Sequence, residues 1–177
     1  MKFWFDTEFI EDGNTIDLIS IGMVSQDGRE YYAISKEFDA SKASTWVINH
    51  VLKHLPPVEV IGMPINGIVY GNELVCSYPP EYRTREEIKN DILKFVSGGD
   101  QPEFWAYYAD YDWVVLCQLF GRMIDLPKGW PRYCRDIKQL CDSLGNPKLP
   151  KPEGTEHHAL DDARWVKQAH AFLEEVK

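Results

Sequence analysis

Asp6 and Glu8 stand two residues apart behind the apolar run Phe3-Trp4-Phe5. If that run is a strand, both carboxylates point to one face and repel each other unless a cation or a proton lies between them. Asp112 follows a second strand-like stretch, and His157-His158-Ala159-Leu160-Asp161-Asp162 opens a C-terminal helical pattern. Several carboxylates brought together hold a hard divalent cation, and an imidazole beside them can take up a proton near neutral pH. Each island alone has a plainer reading: charges at a strand end, caps on a helix, or two exposed histidines.

Spacing leaves two choices open. Asp110 fits an N-cap for a helix starting at Tyr111, which leaves Asp112 in the first turn as the candidate ligand; the reverse assignment fits too. Carboxylates in a first turn also gain from the helix dipole, so a structural role for both stays open. At about 100° per residue His158 shares a face with Asp162, and His157 with Asp161.

The elements that must position these residues can be outlined. Residues 2–6, Ile16 to Val24 and Arg29 to Ser35 read as strands, with turn signals at Asp12-Gly13-Asn14 and Gln26-Asp27-Gly28 between them. Short links favour an antiparallel meander. Ser44 to Leu55 shows helical spacing and stops at Pro56-Pro57. Residues 58–80, broken by glycines and prolines, read as an extended loop or small hairpin. Thr84 with Glu87 opens a helix by a capping box and Gly98-Gly99 ends it. A strand from Glu103 to Ala109, helices from Tyr111 to Phe120 and Asp136 to Leu144, and a last helix from about Ala159 to Glu175 complete the pattern. A meander followed by alternating helices and strands predicts a mixed sheet flanked by helices.

At 177 residues with no Pro/Ser-rich break, the chain fits one domain, residues 1–177. No run approaches the ~20 apolar residues of a membrane span, and the N-terminal apolar run is too short for a signal peptide. Cys76, Cys117, Cys134 and Cys141 form no C-x-x-C pair, as expected of reduced thiols in a cytoplasmic protein. The net charge of −9 argues against a protein that coats duplex nucleic acid. Residues 122–151 nevertheless hold seven basic groups against three acids, a local +4 that is either a solvated surface or a phosphate-steering patch.

The three islands resemble the signature of the DEDDh 3′–5′ exonucleases of the ribonuclease-H-like superfamily. Asp6-x-Glu8 is similar to the first motif, Asp112 to the acid of the second, and His157-x-Ala159-Leu160-x-Asp162-Ala163 to the third. The segments Asp6-Thr7-Glu8-Phe9-Ile10-Glu11-Asp12-Gly13 and Tyr111-Asp112-x-x-x-Leu116-Cys117-Gln118-Leu119 look like the small actinobacterial and phage exoribonucleases related to the mycobacterial polyadenylate-specific ribonuclease.

The resemblance implies a ribonuclease-H-like α/β fold with a five-stranded sheet in the order 3-2-1-4-5, the first three strands antiparallel and the fourth parallel to the first. It implies Asp6, Glu8, Asp112 and Asp162 as metal-binding acids, two Mg²⁺ or Mn²⁺ ions, and His157 as general base. Zn²⁺ does not suit an all-carboxylate site. Substrate contacts fall at Thr7, Phe9 and Trp113; the alternative for either ring is ordinary core, favoured more for Trp113. The implied substrate is single-stranded RNA with a free, adenine-rich 3′ end, the product a nucleoside 5′-monophosphate, and the assembly a homodimer. The rivals are a 3′–5′ DNA exonuclease and an inactive nucleic-acid-binding module on the same fold.

Overall fold

The computed structural model describes residues 1–61, 75–98 and 101–176. Its framework is a mixed sheet with helices on both faces. Strands β1 (Lys2–Glu11), β2 (Ile16–Ser25) and β3 (Glu30–Ser35) form the antiparallel meander. The first turn is held by Asp12, whose carboxylate accepts the amides of Asn14 at 2.9 Å and Thr15 at 2.7 Å. Helix α1 (Thr45–His50) follows, and a 3-10 turn at Leu52–His54 replaces the second half of the longer helix expected to Leu55.

A small antiparallel pair, β4 (Glu59–Ile61) with β5 (Val75–Ser77), flanks residues 62–74; the loop or hairpin expected over 58–80 therefore lies partly outside the described residues. Then come β6 (Tyr82–Arg83), helix α2 (Arg85–Val96) with its Thr84–Glu87 capping box, and β7 (Glu103–Ala106). Helix α3 (Asp110–Gln118), β8 (Arg135–Asp136), helix α4 (Ile137–Ser143) and helix α5 (Ala159–Val176) complete the order.

The main sheet has six strands in the order β6-β3-β2-β1-β7-β8, where five in the order 3-2-1-4-5 were expected. The addition is β6, two residues that run parallel to the outer edge of β3. So short a strand has no readable alternation; it forms because the edge of β3 offers unpaired backbone groups and the Ile34 amide donates to the Glu81 carbonyl at 2.9 Å. β7 runs parallel to β1.

Odd-numbered side chains of β1 face one layer, where Phe3 and Phe5 pack with Phe104, Ile88 and Ile92 of α2, and Trp113 and Leu116 of α3. Even-numbered Trp4 faces the other, with Trp105, Ile137 of α4, and Val166 and Leu173 of α5. Cys117, Cys134 and Cys141 are free thiols. None of the described helices is long and apolar enough to cross a membrane.

Candidate active site

β1 does not end at Asp6; it continues to Glu11, so Asp6 and Glu8 sit in mid-strand. Their even parity turns both toward α5, on the side where Trp4 anchors that helix. β7 pairs with β1 only as far as Trp4, which leaves the next stretch of that β1 edge open. Asp112 fills it. Its Oδ1 accepts the Thr7 amide at 2.9 Å and the Thr7 hydroxyl at 2.5 Å. A bulge after Glu8, where Phe9 pairs with Leu18 and Ile19 is skipped, turns the strand just past the carboxylates.

α5 reaches the cluster because Gly22 is opposite Asp6 in the β1–β2 register. A β-carbon at Gly22 would stand 2.3 Å from the Ala159 carbonyl carbon and the Leu160 nitrogen, so only glycine lets the first turn of α5 lie flat on the sheet. Just ahead of that turn, His157 takes a left-handed backbone conformation (φ 61°). Ligand atoms of Glu8, His157 and Asp162 all lie within 4.8 Å of one another.

A cavity of about 300 Å³ is lined by Asp6, Glu8, Asp112, His157 and Asp162 together with Thr7, Phe9, Tyr107, Tyr108 and Tyr111. The three separate islands thus meet at one place. A larger cavity of about 570 Å³ adjoins it, shares Asp6, Tyr107, His157 and Asp162, and continues past Lys151 and Trp165.

The electrostatics of the cluster are unfavourable as it stands. Burial, then repulsion from Asp112, Glu8 and Asp162, holds the Asp6 carboxyl well above the usual carboxylate range. Burial, with Asp162 and Asp112 adding to it, pushes Glu8 up to about 8. Burial raises Asp112 to about 6 against the lowering effect of the two Thr7 bonds. Asp162 also rises to about 6, from burial and the neighbouring Asp161. Carboxyls forced together at this cost are chemically suited to a multivalent cation, which would relieve the repulsion.

The two histidines separate cleanly. His157 lines the cavity. His158 turns away, its ring 4.5 Å from that of Tyr32 and its Nδ1 3.6 Å from Asp161. Asp161 itself accepts from the Thr155 amide and pairs with Arg164 at 2.6 Å, outside the cavity. The pairing is His157 with Asp162, neither of the two that helical spacing offered.

Other expected positions differ. Asp110 is the first residue of α3 and not its N-cap; the cap is Ala109, whose amide is taken by Asp136 at 2.7 Å. Trp113 is 9% exposed, packs on Phe5 and Phe104, and does not line the cavity, so its place is core. Thr7 is buried and spends its hydroxyl on Asp112. Phe9 lies at the lip, parallel to Tyr111 at 5.8 Å between centroids.

Residues 74–173 match the 3′-5′ exoribonuclease Rv2179c-like domain. The chain is 44% identical over 166 residues to 3′-5′ exoribonuclease Rv2179c of Mycobacterium tuberculosis H37Rv, covering 93% of this chain and 88% of that one. The 3′-5′ exoribonuclease MT2234.1 of strain CDC 1551 matches to the same extent. The chain belongs to the Rv2179c-like 3′–5′ exoribonuclease family. A solved full-length 3′-exonuclease superposes with a TM-score of 0.48 at 12% identity, over 98% of this chain and 81% of that one.

Within this Rv2179c-like chain, three residues at the site carry no legible sequence signal: Gly22, Tyr107 and Tyr108. Tyr108 shares the left-handed conformation of His157, at φ 55°. Among the described residues the only other non-glycine of that kind is Asn146; Asn and His are types found there more often, so the costly case is Tyr108, which lines the cavity. In the basic stretch, Arg122 pairs with Asp125, Arg135 with Glu103 and Lys138 with Asp142, while Lys151 opens onto the larger cavity.

Proposed function

We propose that this exoribonuclease family member shortens single-stranded RNA from a free 3′ end, one nucleoside 5′-monophosphate at a time, in a reaction that depends on divalent metal. The observation that carries this reading is the convergence of Asp6, Glu8, Asp112 and Asp162 with a single histidine, His157, around one open cavity. Both 44%-identical relatives bear the name 3′-5′ exoribonuclease, which favours RNA over DNA as the substrate.

In this reading the four carboxylates hold two Mg²⁺ or Mn²⁺ ions. Hard oxygen donors suit those ions and an octahedral shell. When bound, such a pair supplies a nucleophile at neutral pH and charge stabilisation for the departing 3′-oxygen. The chain's own residues do the rest. Thr7 fixes Asp112 through two donors to one oxygen. The bulge after Glu8 and the flat seat of α5 on Gly22 hold Glu8 and Asp162 toward each other. His157, at the rim and reachable by solvent, takes the proton of the attacking water. Phe9, with Tyr111 beside it, offers an aromatic surface to the terminal bases, and Lys151 in the adjoining cavity attracts the backbone phosphates.

An adenine-rich 3′ end, a homodimer and a cytoplasmic site of action complete the proposal, on the strength of the motif resemblance. A 3′–5′ DNA exonuclease is the runner-up within enzymes. An inactive binding module has less support, because the chain retains all five residues and they share one cavity.

Matched RNA and DNA strands, linear and circular, test the reading. Linear RNA should be degraded faster than linear DNA, and circles should survive. Efficient cleavage of a circle would show an endonuclease, and faster loss of DNA would favour the runner-up.

A further inference from the structure

α1 is an unusual neighbour for a reaction centre. It is six residues long and buries none of them fully. Val47 packs with Val51, the residue that follows α1, against Ile10 and Ile19 and so ties the helix to the sheet. One turn apart on α1, Trp46 and His50 stack with ring centroids 4.7 Å apart and planes at 15°. The stack is locked because His50 Nδ1 lies 2.8 Å from the Trp46 carbonyl. Trp46 is 51% exposed, so its ring adds little to a core. What it does touch is His157: the two rings meet edge-to-face at 4.8 Å and 75°.

His157 needs such a contact. It precedes α5, in a left-handed turn, so no helix fixes its side chain. Among the described residues no hydrogen bond reaches its ring, and the nearest charge is Glu156 at 3.8 Å. A histidine that moves protons ordinarily has its ring orientation set by a bond to its second nitrogen. Here an aromatic wall stands in that role. Edge-to-face pairs have a preferred geometry, and the i, i+4 stack on His50 holds the Trp46 ring in place.

We infer that Trp46 is a positioning residue for this reaction, holding the His157 imidazole toward Glu8 and Asp162. The inference rests on the reading of His157 as the general base. Misplacing a catalytic group by about an ångström costs up to roughly 100-fold in rate, so the effect should fall on kcat.

The test is steady-state kinetics on single-stranded RNA with Mn²⁺ for Trp46→Ala, Trp46→Phe, Trp46→Leu, His157→Ala and the Trp46→Ala/His157→Ala double variant, with thermal unfolding of each. Trp46→Ala should lose roughly 10–100-fold in kcat with KM nearly unchanged. Trp46→Phe should recover most of the rate, and Trp46→Leu, equally apolar but without a ring, should not. This Phe/Leu comparison decides even if the alanine variant folds poorly. In the His157→Ala background, Trp46→Ala should cost nothing further. If His157→Ala is crippled but Trp46→Ala is silent, acts through KM or costs the same in both backgrounds, the positioning role is wrong and the base assignment stands. If His157→Ala itself is silent, the base assignment fails and the positioning role with it.

Discussion

Gly22 and Ala159 meet backbone to backbone: a β-carbon on Gly22 would lie 2.3 Å from both the carbonyl carbon and the carbonyl oxygen of Ala159. The placement of Asp162 in α5 and of His157 just ahead of it depends on that approach, since the two flank Ala159. Gly22→Ala should therefore displace the first turn of α5. Overpacking of this kind costs ~1–3 kcal/mol, and the loss of RNA hydrolysis should exceed what that instability explains at a temperature where the variant is folded. Thermal unfolding and turnover of the same sample check it; full activity in Gly22→Ala would mean that α5 is not seated by this contact.

Thr7 offers a finer probe. Its hydroxyl and its amide both reach Asp112 Oδ1, and Thr7→Val removes only the hydroxyl bond. Hydrogen bonds to charged groups are worth ~1.5–3 kcal/mol, so roughly a tenfold or greater loss in turnover is expected, while Thr7→Ser should stay near the parent. A Val variant as active as the Ser variant would show that Asp112 is held by other means.

The acid cluster sets an unusual pH dependence for the metal-free protein. Glu8, ordinarily near 4.5, is pushed up to about 8, chiefly by burial. Between those values the unfolded chain has lost a proton that the folded chain keeps, so stability must fall as pH rises through the window and level off above it. Asp6, raised for the same reason, acts in the same direction. Chemical denaturation in EDTA from pH 4.5 to 8 should show the decline, Glu8→Gln should flatten it, and Mn²⁺ should restore stability at pH 8 by binding only the folded state. A metal-free protein that grows more stable across this range would contradict the electrostatics.

The two adjacent histidines should behave differently. His157→Ala should lose several orders of magnitude in rate with metal-induced stabilisation largely kept. His158→Ala gives up a ring contact with Tyr32 and a distant partner in Asp161, and should be mild. Equal losses, measured as kcat on one RNA substrate, would mean that the base has been misassigned.

How much of this could be read before the fold was known depends on the range of each interaction. The shared face of Asp6 and Glu8 follows from strand parity, a local property, and so does the Thr84–Glu87 cap. The gathering of Asp112 and Asp162 with them was legible only through motif resemblance, since contacts across more than a hundred residues leave no trace in periodicity. The choice between His157 and His158 came only with the motif resemblance and was hidden from helical spacing, because it turns on one left-handed residue ahead of the helix. Asp110 was misread as a cap because α3 starts one residue earlier than its spacing suggests, with its N-cap at Ala109, whose amide donates to the distant Asp136. Trp113 was offered to substrate and belongs to the core, since proximity to Asp112 in sequence says nothing of which way a helical residue faces. Gly22 and Trp46 gave no signal at all: each matters for what a distant segment places against it.

On the proposed function, the carboxylate cluster makes this chain a metal-dependent exonuclease acting from the RNA 3′ end. The most direct measurement follows a 5′-labelled single-stranded RNA with Mn²⁺ or with EDTA, for the parent protein and for Asp6→Asn. Asp6 is chosen because it is buried among the other three acids, and the substitution keeps its shape while removing its charge. This mechanism predicts a ladder shortening one nucleotide at a time, nucleoside 5′-monophosphate as product, no reaction in EDTA, and none with a folded Asp6→Asn protein. Undiminished shortening in EDTA, or by Asp6→Asn, would contradict it.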